Sequence, residues 1–219
     1  MPEVSSRELR RAADRFVTHG DGITTVHSFS YGAHYDPANV GFGALSAINV
    51  EHLAPGRGYD AHRHADVDIV TWVVEGVLAH RDTTGVGGII GPGTVQRLSA
   101  GTGAEHTERN ASATEPLCFV QTMLRSTHEG APEYALVEVP GGPGRYPGVS
   151  VHAAARLEII RPAEPVAVEI GRRLLVHVTR GTIAADGDPL NVGDELRVVA
   201  TGGSVLLVGG GEALVWHLE

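Results

Sequence analysis

Beyond its first twenty residues the chain never sustains an apolar run longer than a β-strand. The runs Ala44 to Val50, Val67 to Val74, Leu117 to Leu124, Tyr134 to Val139, Leu174 to Val178, Leu196 to Val199 and Val205 to Val208 are each four to eight residues long. Glycine, proline or Asp-Gly signals separate them, where a buried helix would need about ten residues or more. The 29 glycines supply enough turns for a chain of this kind. Many short strands with frequent turns predict an all-β fold, closed as a barrel or folded as a double-sheet jelly roll. One exception is expected at the start: Ser5 with Glu8 three residues on reads as a capping box, and Leu9, Ala12, Ala13 and Phe16 share a helical face. A short N-terminal helix is predicted there.

The string Pro140 to Gly148, rich in proline and glycine, is the strongest candidate linker. It divides the chain into a first domain over residues 1–140, a linker over 141–148 and a second domain over 149–219. Each half carries a related phrase. In the first, Val74-Glu75-Gly76-Val77-Leu78 is followed by Gly91-Pro92-Gly93; in the second, Thr179-Arg180-Gly181-Thr182-Ile183 is followed by Asn191-Val192-Gly193-Asp194. A strand meeting one glycine turn, and a second turn a dozen residues later, suggests two related barrels in tandem.

Two short strings carry the chemistry. In His62-Arg63-His64 and in His106-Thr107-Glu108 the polar side chains stand at i and i+2, which on a strand places both on one face. On neighbouring strands they would converge as three imidazoles and one carboxylate. Four such ligands on one side of an ion leave the opposite side open, which favours a Lewis-acid or redox role over a structural one. The second half has neither a His-x-His nor a His-x-Glu pair, so metal chemistry is assigned to the first. His27, His34, His52, His80, His128, His152, His177 and His217 lack a paired spacing and are expected on the surface or hydrogen-bonded in the core, with His34 and His80 the two that could approach the site at the barrel mouth.

Composition narrows the partners. A net charge of −9 argues against direct nucleic-acid binding, which needs a basic face. The single cysteine, Cys118, excludes an internal disulfide and a cysteine-based zinc site, and reads as a small buried hydrophobe. No stretch approaches the roughly 20 apolar residues that span a bilayer, and the charged N-terminus lacks a signal segment. A cytoplasmic protein without membrane contact is expected.

The ordered series of motifs resembles the cupin superfamily and, within it, pirin and the bacterial pirin-like proteins. Gly56, His62, His64, Asp68 and Gly76 are similar to the first cupin motif. Gly91 to Gly103 leading into His106-Thr107-Glu108 resembles the most distinctive pirin stretch. His27 to Tyr31, His34 to Pro37 and Gly41 to Gly43 are similar to the family's N-terminal signature. The resemblance implies a bicupin, two antiparallel β-barrels of which only the first binds metal, with His62, His64, His106 and Glu108 as ligands. Two positions depart from the pattern: Arg63 replaces the usual proline, and Asp68 replaces the usual glutamate, putting the hydrogen bonding behind the ligands in doubt.

The same resemblance implies a mononuclear dioxygenase of the quercetinase type, opening the flavonol ring with molecular oxygen. Glu108 would serve as both ligand and proton acceptor. Iron(II) is the first expected metal, with manganese, nickel, cobalt, copper or zinc compatible with the same ligands. The alternative it implies is a non-enzymatic iron-dependent regulator whose redox state governs docking of a protein partner.

Overall fold

The computed structural model describes residues 4–219. All seven apolar runs fall on strands, with only the end residues Ala44 and Val139 outside them, and the only helical element among the described residues is the 3-10 turn Ala12–Asp14. All strand pairs are antiparallel. No helix among these residues is long and apolar enough to cross a membrane.

The chain divides into two compact units, and the division is not the expected one. One unit comprises residues 16–138 and 149–153; the other comprises residues up to Arg15, 139–148 and 154–219. The boundary predicted at 140 lies close to one crossing point, but the chain changes unit four times. Residues 144–147, inside the expected linker, form the strand Gly144–Pro147 paired with Ala155–Arg161.

The predicted N-terminal helix is a strand. Val4–Arg10 pairs with Glu195–Ala200 at the edge of a sheet. Ser5, expected as a cap, donates through Oγ to the Val199 carbonyl, and Glu8 accepts from Arg10. Leu9 packs against the aliphatic core of that unit. A helix of about two turns is marginal in water, whereas an open sheet edge satisfies every other backbone group and buries the leucine.

In the unit holding residues 16–138, a seven-stranded sheet runs Glu133–Glu138, Thr94–Ser99, Val67–Glu75, Leu117–Arg125, Leu45–Leu53, Ile23–His27 and Phe16–Gly20. A four-stranded sheet runs Gly58–His64, Ala104–Asn110, Leu78–Asp82 and Gly87–Ile90. The other unit repeats the arrangement. Its four-stranded sheet runs Val166–Glu169, Ser204–Gly209, Thr182–Ala185 and Asp188–Asn191. Its six-stranded sheet runs Val4–Arg10, Glu195–Ala200, Arg173–Arg180, Glu212–Leu218, Ala155–Arg161 and Gly144–Pro147.

The repeated sequence phrase marks the same turn in both units. Gly76 and Gly181 adopt φ of 80° and 63°. A β-carbon on either would stand 2.4 Å from the Pro116 carbonyl oxygen or 2.3 Å from that of Gly210. Only glycine fits such a left-handed turn pressed against backbone.

Candidate metal centre

His62 and His64 lie on Gly58–His64, and His106 and Glu108 on its neighbour Ala104–Asn110. Across the ladder His62 faces His106 and His64 faces Ala104. The register slips between His106 and Glu108, so that Glu108 faces Tyr59. Such a bulge re-aims side chains and is common beside functional sites.

The three histidines converge. Their ring centroids are separated by 4.4 Å (His62 to His106), 4.9 Å (His62 to His64) and 5.1 Å (His64 to His106), and their ligand atoms lie within 4.8 Å of one another. Glu108 enters through His106, with which it forms a second cluster that also includes His80. His106 and Glu108 are fully buried.

His64 Nε2, both nitrogens of His106 and Glu108 Oε1 are buried without a hydrogen-bond partner. Each such atom costs about 1–3 kcal/mol when desolvated and unpaired. Four in one place mark a site whose bonding capacity is directed at something other than protein. The remaining atoms are oriented for that purpose. The Asp60 carbonyl accepts from His62 Nδ1 at 2.7 Å, which leaves Nε2 with its lone pair. Gln121 Nε2 donates to Glu108 Oε2 at 2.8 Å, fixing the carboxylate plane. Three imidazoles and a carboxylate with unpaired donors fit a divalent transition metal.

Burial sets the electrostatics. It is the largest cause holding Glu108 up at about 7, with the Gln121 bond opposing it and the Glu51 charge adding to it. Burial also holds His106 down at about 3, helped by His62, His64 and His80. A neutral imidazole is the form that can ligate a metal.

His80 belongs to the site although no paired spacing was assigned to it. It faces Glu108 across the ladder, and Asp82 faces His106. The signal was present: His80-Arg81-Asp82 repeats the i, i+2 spacing of the two recognised pairs. Its nitrogens are both engaged, Nε2 with Asp82 at 2.8 Å and Nδ1 with the Gln96 amide at 3.3 Å. His80 therefore packs beside His106, with ring centroids 5.5 Å apart, rather than offering a fourth imidazole.

The departures at Arg63 and Asp68 lie away from these atoms. Arg63 is exposed, and its NH2 donates to the Thr102 carbonyl at 3.0 Å. Asp68 is fully buried and takes its hydrogen bonds from Ser99, Ser126 and the His152 backbone N–H. It anchors a chain segment instead of bracing His62, His64, His106 or Glu108.

A cavity of about 600 Å³ adjoins the cluster and is lined by His62, Glu108, Gln121, Asn49, Glu51 and Tyr59, with Ile23, Met123, His27 and Tyr31 among its walls. Glu51 is a second buried carboxyl there, accepting through Oε2 from Thr25 and Tyr59, each at 2.6 Å. Burial raises its pKa above the ordinary carboxyl value, although both hydrogen bonds oppose this.

The pirin family profile matches residues 9–124. The chain belongs to the pirin family. A Mycobacterium tuberculosis pirin relative, provisionally named quercetin 2,3-dioxygenase, is 36% identical over 231 residues, covering 97% of this chain and 95% of its own. The Escherichia coli K12 protein named quercetin 2,3-dioxygenase is 29% identical over 206 residues, covering 87% and 88%. Among solved structures, the bacterial pirin YhhW from Escherichia coli in complex with nickel(II) superposes with a TM-score of 0.90 at 27% identity, covering 97% of this chain and 99% of that one.

Proposed function

We propose that this pirin is a metal-dependent oxygenase of the quercetin 2,3-dioxygenase type, opening the central ring of a flavonol with molecular oxygen. The observation that carries the reading is the set of buried, unpartnered donor atoms on His64, His106 and Glu108 beside a 600 Å³ cavity. In this reading His62, His64, His106 and Glu108 would hold one divalent metal, iron(II) first, with manganese, nickel, cobalt, copper or zinc as alternatives. Each unit is then a cupin barrel, the second without metal, and the proposed setting is the cytoplasm.

When bound, the metal supplies Lewis-acid activation of the substrate hydroxyl and redox access to oxygen. The side chains do the rest. Glu108 accepts the proton of the flavonol 3-hydroxyl at Oε1, the oxygen without a protein partner, while Gln121 keeps Oε2 in place. His27 and Tyr31, stacked with centroids 5.3 Å apart, give an aromatic wall, and Ile23 and Met123 add apolar surface against a flat ring system. Asn49, Glu51 and Tyr59 offer hydrogen bonds to peripheral hydroxyls. A half-open pocket with apolar walls and a few convergent polar groups suits a small polyphenol.

The test is oxygen uptake with quercetin by protein loaded in turn with each metal, alongside loss of the flavonol absorbance. Turnover that requires both metal and Glu108, and is abolished in Glu108→Ala, is expected. Absence of uptake with every metal, in protein that demonstrably holds one, would overturn the reading.

A further inference from the structure

We propose that His128, Glu133 and His152 form a second divalent-metal site that takes a late first-row cation such as zinc(II), nickel(II) or copper(II). All three belong to the unit holding residues 16–138 and 149–153, and their ligand atoms lie within 4.8 Å of one another. They share no residue with the histidine cluster described above.

The geometry is that of two imidazoles aimed at one carboxylate. The rings of His128 and His152 stack with centroids 4.6 Å apart and planes 22° from parallel. His152 Nε2 stands 3.0 Å from Glu133 Oε2, and His128 Nε2 stands 3.7 Å from Oε1. Ligands at 2.0–2.2 Å around a tetrahedral ion are roughly 3.4 Å apart, between those two separations. The Ala131 carbonyl oxygen, 2.7 Å from His128 Nε2, is placed to add a fourth donor. The hydrogen now shared in that bond is the one an ion would replace.

The three residues are held from behind. Asp68 accepts the His152 backbone N–H, and the His152 carbonyl accepts from Thr127 N at 2.7 Å and Thr127 Oγ1 at 2.9 Å. The His128 N–H donates to Ser126 Oγ at 3.2 Å. Arg97 donates to Glu133 Oε2 at 3.0 Å and to the Ser150 carbonyl at 2.8 Å. Such supporting bonds orient ligands, but the arginine also brings a positive charge beside the carboxylate. This site is therefore the weaker of the two. Two nitrogen donors against one carboxylate select zinc, nickel or copper over magnesium or calcium, which require oxygen. Side-chain exposures of 16%, 47% and 33% for His128, Glu133 and His152 leave an entry path from solvent. An ion there would fasten residues 149–153 to the loop at 126–131.

The experiment counts zinc bound per chain by titration calorimetry and elemental analysis of the untagged, metal-stripped protein. Two equivalents are expected in the unsubstituted protein, with His106→Ala, His152→Ala and Glu133→Gln each reduced to one. The paramagnetic resonance spectrum of one equivalent of copper(II) in His106→Ala should show nitrogen coupling, lost on adding His128→Ala or His152→Ala. One equivalent in the unsubstituted protein, or two persisting in both His152→Ala and Glu133→Gln, would overturn the proposal. So would a copper spectrum unaffected by either histidine. None of these readouts depends on flavonol turnover.

Discussion

The two units share a strand order, yet the space between their sheets is filled in opposite ways. In the unit ending at Glu219 the inward positions of the small sheet are Val168, Val205, Leu207, Ile183, Ala185 and Leu190, and they join one continuous aliphatic cluster with Leu174, Val176, Leu196 and Val215. In the histidine-cluster unit the inward rows read apolar, polar, apolar. Leu45–Leu53 presents Ala47, then Asn49 and Glu51, then Leu53; Leu117–Arg125 presents Phe119, Gln121 and Met123; Val67–Glu75 presents Ile69, Thr71 and Val73. The apolar ends fall into separate clusters, one with Ala47, Ile69 and Met123 and the other with Leu53, Val73 and Phe119. The layer between them carries His106, Glu108 and His80. One framework thus serves as a dry core or as the wall of a site, according to a single polar layer. The site occupies volume that the other unit spends on stability.

That contrast can be broken by mutation. The largest effect is expected at the polar layer: His106→Ala or Glu108→Ala should weaken metal binding at the histidine cluster by about 100-fold or more, measured by competition with a chromophoric chelator. In the dry unit, Leu196→Ala should cost about 2–5 kcal/mol of stability in denaturant titration while leaving metal affinity unchanged. A shift in metal affinity from Leu196→Ala would deny the separation. Metal at 100 times its dissociation constant should stabilise the fold by about 2.7 kcal/mol. The added hydrogen-exchange protection should centre on Gly58–His64 and Ala104–Asn110, not on Thr182–Ala185.

The smallest effect is a pH dependence. Glu108 is raised from 4.5 to about 7 in the folded protein, so its contribution to the metal-free fold is fully present below pH 4.5 and is lost as pH rises through 7. Metal-free wild type should therefore lose stability relative to Glu108→Gln between those values, His106 being common to both. Parallel stability curves would show that Glu108 is not desolvated as described.

Much of this architecture was legible in the sequence because the strands and the clustered polar side chains obey one rule, alternation with period two. The seven apolar runs are strands for that reason, and His62, His64, His106 and Glu108 share a space because i and i+2 point one way. The rule also covered His80-Arg81-Asp82, where the spacing was visible but the strand register that brings it to Glu108 was not. Long-range partners explain the other differences. Ser5 and Glu8 carry a helix signal, but the edge of Glu195–Ala200, nearly two hundred residues away, supplies a better set of bonds. Asp68 looked like part of a metal motif, yet its partners Ser99, Ser126 and His152 are far along the chain. The Pro140 to Gly148 string belongs to one unit and lies between two crossings of the chain, while the return of residues 149–153 depends on Asp68 and Thr127, which no local pattern announces.

The most direct test of the central claim is metal K-edge absorption on nickel-loaded His152→Ala protein, in which only the polar-layer site remains. We predict scattering from three imidazoles with oxygen donors at about 2.0–2.1 Å, with the bound nickel and its imidazole scattering lost in the additional variant His106→Ala. A spectrum with no imidazole contribution, or one unchanged by His106→Ala, would contradict the claim that this layer is built to hold a metal.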